Sequence, residues 1–146
     1  MDLQAVSDKL EIQEQLARYA RGVDTNDYEL WKSVFTPDAL IDYTSTSATL
    51  PVLQRDEMAA HLEAGLGQMP MKIHYITNVE ITLDGDQAKV IAQFFNPMQV
   101  PGLAEQSSCG GYYFHDFVRT PDGWKSANLT EKLVWFVNPP SARPTS

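Results

Sequence analysis

At 146 residues, 43% hydrophobic and 21% charged, the chain is sized for one domain that buries its own core without disulfide or metal. A formal net charge of −8, with no Lys/Arg cluster, argues against a nucleic-acid partner, because phosphate binding needs a basic face. Cys109 is the one cysteine, so no intramolecular disulfide can form.

The opening MDLQAVSDKLEIQEQ is acidic and amphipathic, unlike the basic-then-apolar pattern of a signal peptide, and no apolar run approaches membrane-spanning length. A soluble, cytoplasmic protein is expected. Residues 3–22 read as an amphipathic helix, with Leu3, Val6, Leu10, Leu16, Tyr19, Ala20 and Val23 at three- and four-residue spacing and Gly22 as its stop. A second helix follows, with Asn26 as its cap and Glu29 three residues on, as in a capping box. Tyr28, Trp31, Val34 and Phe35 give it a buried side, and Thr36-Pro37-Asp38 breaks it.

Residues 39–44, ALIDYT, alternate like a strand, and residues 56–66 read as a short helix ended by Gly67 and Pro70. The pattern then turns to period two. Strands are expected at 71–83, 86–100, 106–119 and 123–136, with tight turns at Asp84-Gly85-Asp86 and Pro121-Asp122-Gly123. Helices first and a long antiparallel meander afterwards make an α+β fold, with helices gathered on one face of a strongly curved sheet. Residues 1–138 form one domain, and 139–146 a loose tail.

His74 carries the main chemical question, because it interrupts the apolar, β-branched run IHYITN. It is either a core histidine bonded to backbone or a general base facing a pocket, and a base needs a carboxylate to orient its other nitrogen. Asp24 lies in the joint between the first two helices, where an aspartate can equally cap a helix. Tyr19 and Tyr43 can pack with their hydroxyls at a wet edge or polarise a substrate oxygen. His115 is expected on an outer strand face, His61 is given no role, and Cys109, with no charged neighbour, reads as a structural thiol. No HxH, HExxH, GxGxxG or GxSxG pattern occurs, so the expectation is cofactor-free, metal-free acid–base chemistry or plain ligand binding.

The segments IQEQLARYARGVDTNDYELWKSVFTPDALIDY, IHYITNVEITLDGDQA and GGYYFHDFVRTPDGWKS, in that order, resemble SnoaL-like proteins of the nuclear transport factor 2-like superfamily over residues 8–136. The resemblance implies a cone-shaped, mostly antiparallel sheet and helices enclosing one apolar pocket, often in a dimer. By motif the chain is most similar to scytalone dehydratase, bile-acid 7α-dehydratase and hexachlorocyclohexane dehydrochlorinase. Their acid–base pair falls on Asp24 and His74, the tyrosine of the bile-acid enzyme on Tyr19, and the tyrosine of scytalone dehydratase's IDY segment on Tyr43. Where scytalone dehydratase carries polar site residues this chain has Val23, Phe94 and Phe114. These three and Trp31 are expected to line the pocket, and scytalone is not the expected substrate. The dehydrochlorinase's halide-binding arginine has no counterpart in 123–136. The implied function is a cofactor-independent lyase of dehydratase type on an apolar cyclic small molecule. An isomerase, a polyketide-type cyclase or a non-catalytic binding protein would use the same pocket. No nucleic-acid or membrane partner is expected, and a homodimer or higher homo-oligomer is. A third alternative is an interaction face built from Phe94, Phe95, Tyr112 and Phe114.

Overall fold

The computed structural model describes residues 1–47 and 49–140. Its elements run α1 (Leu3–Asp24), α2 (Tyr28–Ser33), β1 (Phe35–Asp42), β2 (Leu53–Gln54), α3 (Arg55–Leu66), β3 (Met71–Lys72), β4 (Tyr75–Asp84), β5 (Gln87–Gln99), β6 (Ser107–Thr120) and β7 (Gly123–Val137). The strands make one sheet in the order β2-β1-β7-β6-β5-β3, with β4 also on β5. Every pairing is antiparallel except β1 on β7, which is parallel. The sheet curls into a half-barrel around the helices, which is the expected α+β cone.

Both hairpin turns form as the sequence predicts. Asp84 pairs with Gln87 around Gly85 (φ 60°), and Thr120 pairs with Gly123 (φ 98°), conformations that suit glycine. The curl comes from extra residues that the alternation hides. Val134 and Ala127 are unopposed on β7, and β4 holds one extra residue between Thr77 and Glu80. Such bulges bend a strand and shift its side-chain parity. At the β4 bulge Asn78 takes a left-handed conformation (φ 53°), so Ile76 before it and Val79, Ile81 and Leu83 after it all turn inward.

Several expectations need correction. Leu3, Val6 and Leu10 are exposed; α1 buries Ile12, Leu16, Tyr19 and Val23 together with Asp8 and Gln15. Asp27, not Asn26, caps α2, its carboxylate accepting from the Leu30 N–H, because Asn26 is left-handed (φ 57°) and outside the helix. Helix α2 stops at Ser33, and Val34 and Phe35 are buried beyond it, so β1 begins four residues before the expected strand. Residues 71–83 are two strands rather than one. Residues 141–146, most of the expected tail, lie outside the described residues. Among the described residues no helix is long and apolar enough to cross a membrane.

Gly22 lets α1 and α2 cross closely, since a Cβ there would lie 2.7 Å from the Trp31 backbone nitrogen. The other end of α1 is pinned by Asp8. Its carboxylate accepts two bonds from Arg119 (both 2.8 Å) and one from the Trp124 indole N–H (3.0 Å). Those bonds, Arg119 first, hold the Asp8 carboxyl well below the usual carboxylate range. A lowered pKa means that this contribution is complete above the ordinary carboxylate pKa and is lost only in strong acid. Arg119 is one-third exposed, so solvent screens that pair, whereas Trp124 is fully buried. Asp8→Ala strands a buried indole donor and should lower unfolding free energy by about 1–3 kcal/mol, measured by urea titration. Asp8→Asn, which still offers an acceptor oxygen, should lose less.

Candidate active site

The interior of the half-barrel holds a cavity of about 740 Å³. Tyr19 and Val23 from α1, Tyr43 and Thr46 after β1, and Leu62 and Leu66 from α3 form part of its wall. Lys72 and His74, Asn96 and Met98, Cys109 and Tyr113, and Glu131 and Leu133 supply the sheet side. Pro139 and Pro140, from the expected tail, also border it, as does the exposed His61.

His74 sits between β3 and β4, at an interruption with a local cause. The register with β5 runs through unbroken, Lys72 on Met98 and Tyr75 on Phe95, which sets Ile73 opposite Pro97. Ile73 donates to the Pro97 carbonyl (3.1 Å), but proline has no N–H to return. The N–H of the next residue, His74, points away from β5 toward the open edge, as antiparallel alternation requires. Asp24, the last residue of α1, receives it: Oδ2 accepts from the His74 backbone N–H at 2.9 Å, and Oδ1 lies 2.6 Å from ring Nδ1. Asp24 also keeps Lys72 close. The Lys72 ammonium donates to the Asn26 side-chain oxygen (2.8 Å), tying the α1–α2 joint to β3. Burial lowers the Lys72 pKa and the Asp24 charge opposes that fall.

The two-point bond fixes the imidazole. With Nδ1–H donated to the carboxylate, Nε2 is the basic nitrogen, no group among the described residues bonds it, and its ring borders the cavity. A second, more open hollow of about 650 Å³ lies outside, between α1 and the β4 edge, and Asp24 and His74 border it as well. The other polar groups converge on the interior cavity.

Tyr19 and Tyr43 meet hydroxyl to hydroxyl at 2.5 Å, and the Tyr19 ring lies 6.4 Å from that of His74. Burial, and after it for Tyr19 the Glu131 charge, raises both phenols, so each keeps its proton. One hydroxyl donates to the other, whose own proton is then free for a ligand oxygen. Cys109 is buried with its thiol pushed up to about 12 by burial, which agrees with a structural role.

All four expected site residues, Asp24, His74, Tyr19 and Tyr43, therefore come together, and Val23 lines the cavity. Trp31 does not: it is fully buried behind Tyr19 against Phe35. Phe94 is also core, stacked on Tyr113 at 4.5 Å. Phe114 faces outward beside Tyr112, so neither it nor Phe94 stands in the wall. Of the four residues expected on an interaction face, only Phe95, Tyr112 and Phe114 point outward. His115 is buried rather than on an outer face. It sits between Tyr113 and Phe117, bonds the Ser126 hydroxyl at 2.8 Å, and is driven down to about 3 by burial, so it is a neutral core residue.

Glu131 was not anticipated. It shares strand parity with Leu129 and Leu133, and a carboxyl on an apolar face was the available signal. Its Oε1 accepts from the Thr46 hydroxyl, and burial raises its pKa to about 7, against the Thr46 bond and with help from Asp42.

The curled sheet and helices around one cavity define a nuclear transport factor 2-like fold. The description of the SnoaL-like domain matches residues 4–130, and the chain belongs to the SnoaL-like family. It is 37% identical over 127 residues to the uncharacterized protein Rv2910c of Mycobacterium tuberculosis, covering 86% of this chain and 85% of that one. Among solved structures, the Kfla4162 protein of Kribbella flavida has a TM-score of 0.85 at 26% identity, covering 92% of this chain and 95% of its own. A hexachlorocyclohexane dehydrochlorinase of Novosphingobium barchaimii has a TM-score of 0.81 at 19% identity, covering 100% and 99%, a likeness of fold.

Because the Glu131 pKa is raised on folding, its stabilising effect is complete below the ordinary carboxylate pKa and is lost as pH rises through about 7. Glu131→Gln should match the wild type in stability near pH 4 and exceed it at pH 8 by roughly 3 kcal/mol, read from denaturant titrations at the two pH values.

Proposed function

We propose that the protein is a cofactor-independent lyase of dehydratase type, acting on an apolar cyclic molecule that carries a carbonyl. The observation that supports this most is the Asp24 carboxylate bonding both the backbone N–H and ring Nδ1 of His74, which leaves Nε2 as a free base beside the cavity. In this reading His74 removes a proton α to the carbonyl. Asp24 holds the tautomer and stabilises the imidazolium that forms. The Tyr19–Tyr43 pair donates its spare proton to the carbonyl oxygen, where negative charge grows in the transition state. The electron pair left by the broken C–H bond then forms the C=C bond and expels a group β to the carbonyl. An isomerase would return the proton to another carbon, and a cyclase would use the carbanion to form a ring bond.

Proton abstraction is common to all three outcomes, so it is the step to test. Incubated with 1-tetralone in D2O, the wild type should exchange the α-protons well above the buffer rate, followed by proton NMR. His74→Ala and Asp24→Asn should each lose ~10²–10⁴-fold of that rate while saturation-transfer NMR still shows the ketone bound. Binding by the wild type with exchange only at the buffer rate would sink the enzymatic reading and leave a small-molecule carrier.

A further inference from the structure

Glu131 is the one carboxyl among the described residues that line the cavity, and the acid–base pair makes no use of it. The fold goes to some length to hold it there. β1 ends at Asp42, so β7 loses its neighbour just where Glu131 stands. The segment after β1 turns back, with the Thr46 and Ser47 N–H groups donating to the Tyr43 carbonyl, and closes the gap. Ser45 Oγ donates to the Glu131 carbonyl (2.9 Å) and accepts from the Leu133 N–H (2.9 Å), standing in for the missing strand. That places the next residue, Thr46, with its hydroxyl on Glu131 Oε1. Oε2 has no partner among the described residues.

His74, between β3 and β4, and Glu131 on β7 are separated by β5 and β6 in the curl, and both border the same cavity. Tyr19 borders that cavity too: its ring is 6.4 Å from His74, and the Glu131 charge acts on it and on Tyr43, Tyr113 and Cys109. Thr46 bonds Glu131, and the titratable groups coupled to it are Tyr19 from α1, Asp42 and Tyr43 at the end of β1, and Tyr113 and Cys109 from β6, while Lys72, the cation in the same cavity wall, is bonded to Asn26 instead. None of the coupled groups is a cation that would hold its charge, and burial raises the Glu131 pKa to about 7, so a large share of Glu131 carries a proton near neutral pH, as in other enzymes that use a neutral carboxylic acid as a donor.

We propose that Glu131 is the catalytic acid that completes the His74 base: seated by Thr46 in the same cavity, its carboxyl gives a proton to the oxygen that leaves while His74 takes the proton from carbon. The inference rests on the elimination reading above and narrows its substrate to β-hydroxy ketones. The step balances. The α-C–H bond breaks and its proton goes to Nε2. The electron pair forms the C=C bond, the β-C–O bond breaks, and the oxygen takes the Glu131 proton and departs as water. The imidazolium then returns its proton to the Glu131 carboxylate through water, which resets both groups.

Leaving-group chemistry separates this role from a structural one, because a departing chloride needs no proton. Glu131→Gln should retain α-proton exchange on 1-tetralone. It should lose ~10²–10⁴-fold in elimination of water from 3-hydroxy-1-tetralone, yet less than tenfold in elimination of chloride from 3-chloro-1-tetralone. Equal losses on both probes, or no loss on the hydroxy ketone, overturn the proposal while leaving His74 as the base. Loss of exchange in the wild type itself overturns the elimination reading, and this inference with it. One readout is independent of turnover: wild type minus Glu131→Gln infrared spectra at pH 6 should show a protonated-carboxyl C=O band that fades above about pH 7. Its absence at pH 6 overturns the proposal whatever the probes do.

Discussion

The Asp24 carboxylate at the end of α1 is the constraint on which the rest of the site depends. A helix C-terminus is a poor place for an anion, because the backbone dipole there is negative. Its two bonds to His74 and the nearby Lys72 ammonium offset that cost. The same carboxylate satisfies the edge N–H of His74 and orients its imidazole. Geometry of the backbone and readiness of the base are therefore one feature, and replacing Asp24 would loosen both.

Around that bond the polar groups are arranged by what burial does to each. The phenols of Tyr19 and Tyr43 stay protonated as donors, His115 stays neutral within the core, and the Glu131 pKa is raised to about 7. A dry wall strengthens every one of these contacts. A shared fold alone would not argue for chemistry, since one scaffold hosts many functions. The Asp24–His74 bond beside the cavity is what supports the enzymatic reading proposed above.

Much of this was legible from the chain. Helical spacing located α1, alternation and glycine turns located the last four strands to within a residue or so apart from the break at His74, and the order of elements implied the curved sheet. The candidate residues Asp24, His74, Tyr19 and Tyr43 were found through the resemblance, since spacing alone left each of them open to a bland explanation. The misplaced residues share a cause. Phe114 was placed inward through the resemblance and His115 outward by its polarity, whereas the strand register on β5 and β7 places them the other way round.

Periodicity, turn residues and charge balance by themselves determined that the chain makes helices followed by a curled sheet, because those signals act over a few residues and need no distant partner. Only the tertiary structure decided which faces turn inward, where Pro97 interrupts the pairing of a strand 24 residues upstream, and that the segment carrying Ser45 and Thr46 would close on β7. Glu131 became a neutral acid for the same reason. A carboxyl's proton affinity is set by how much water reaches it and which charges surround it, and both are properties of the folded cavity rather than of the strand that carries it.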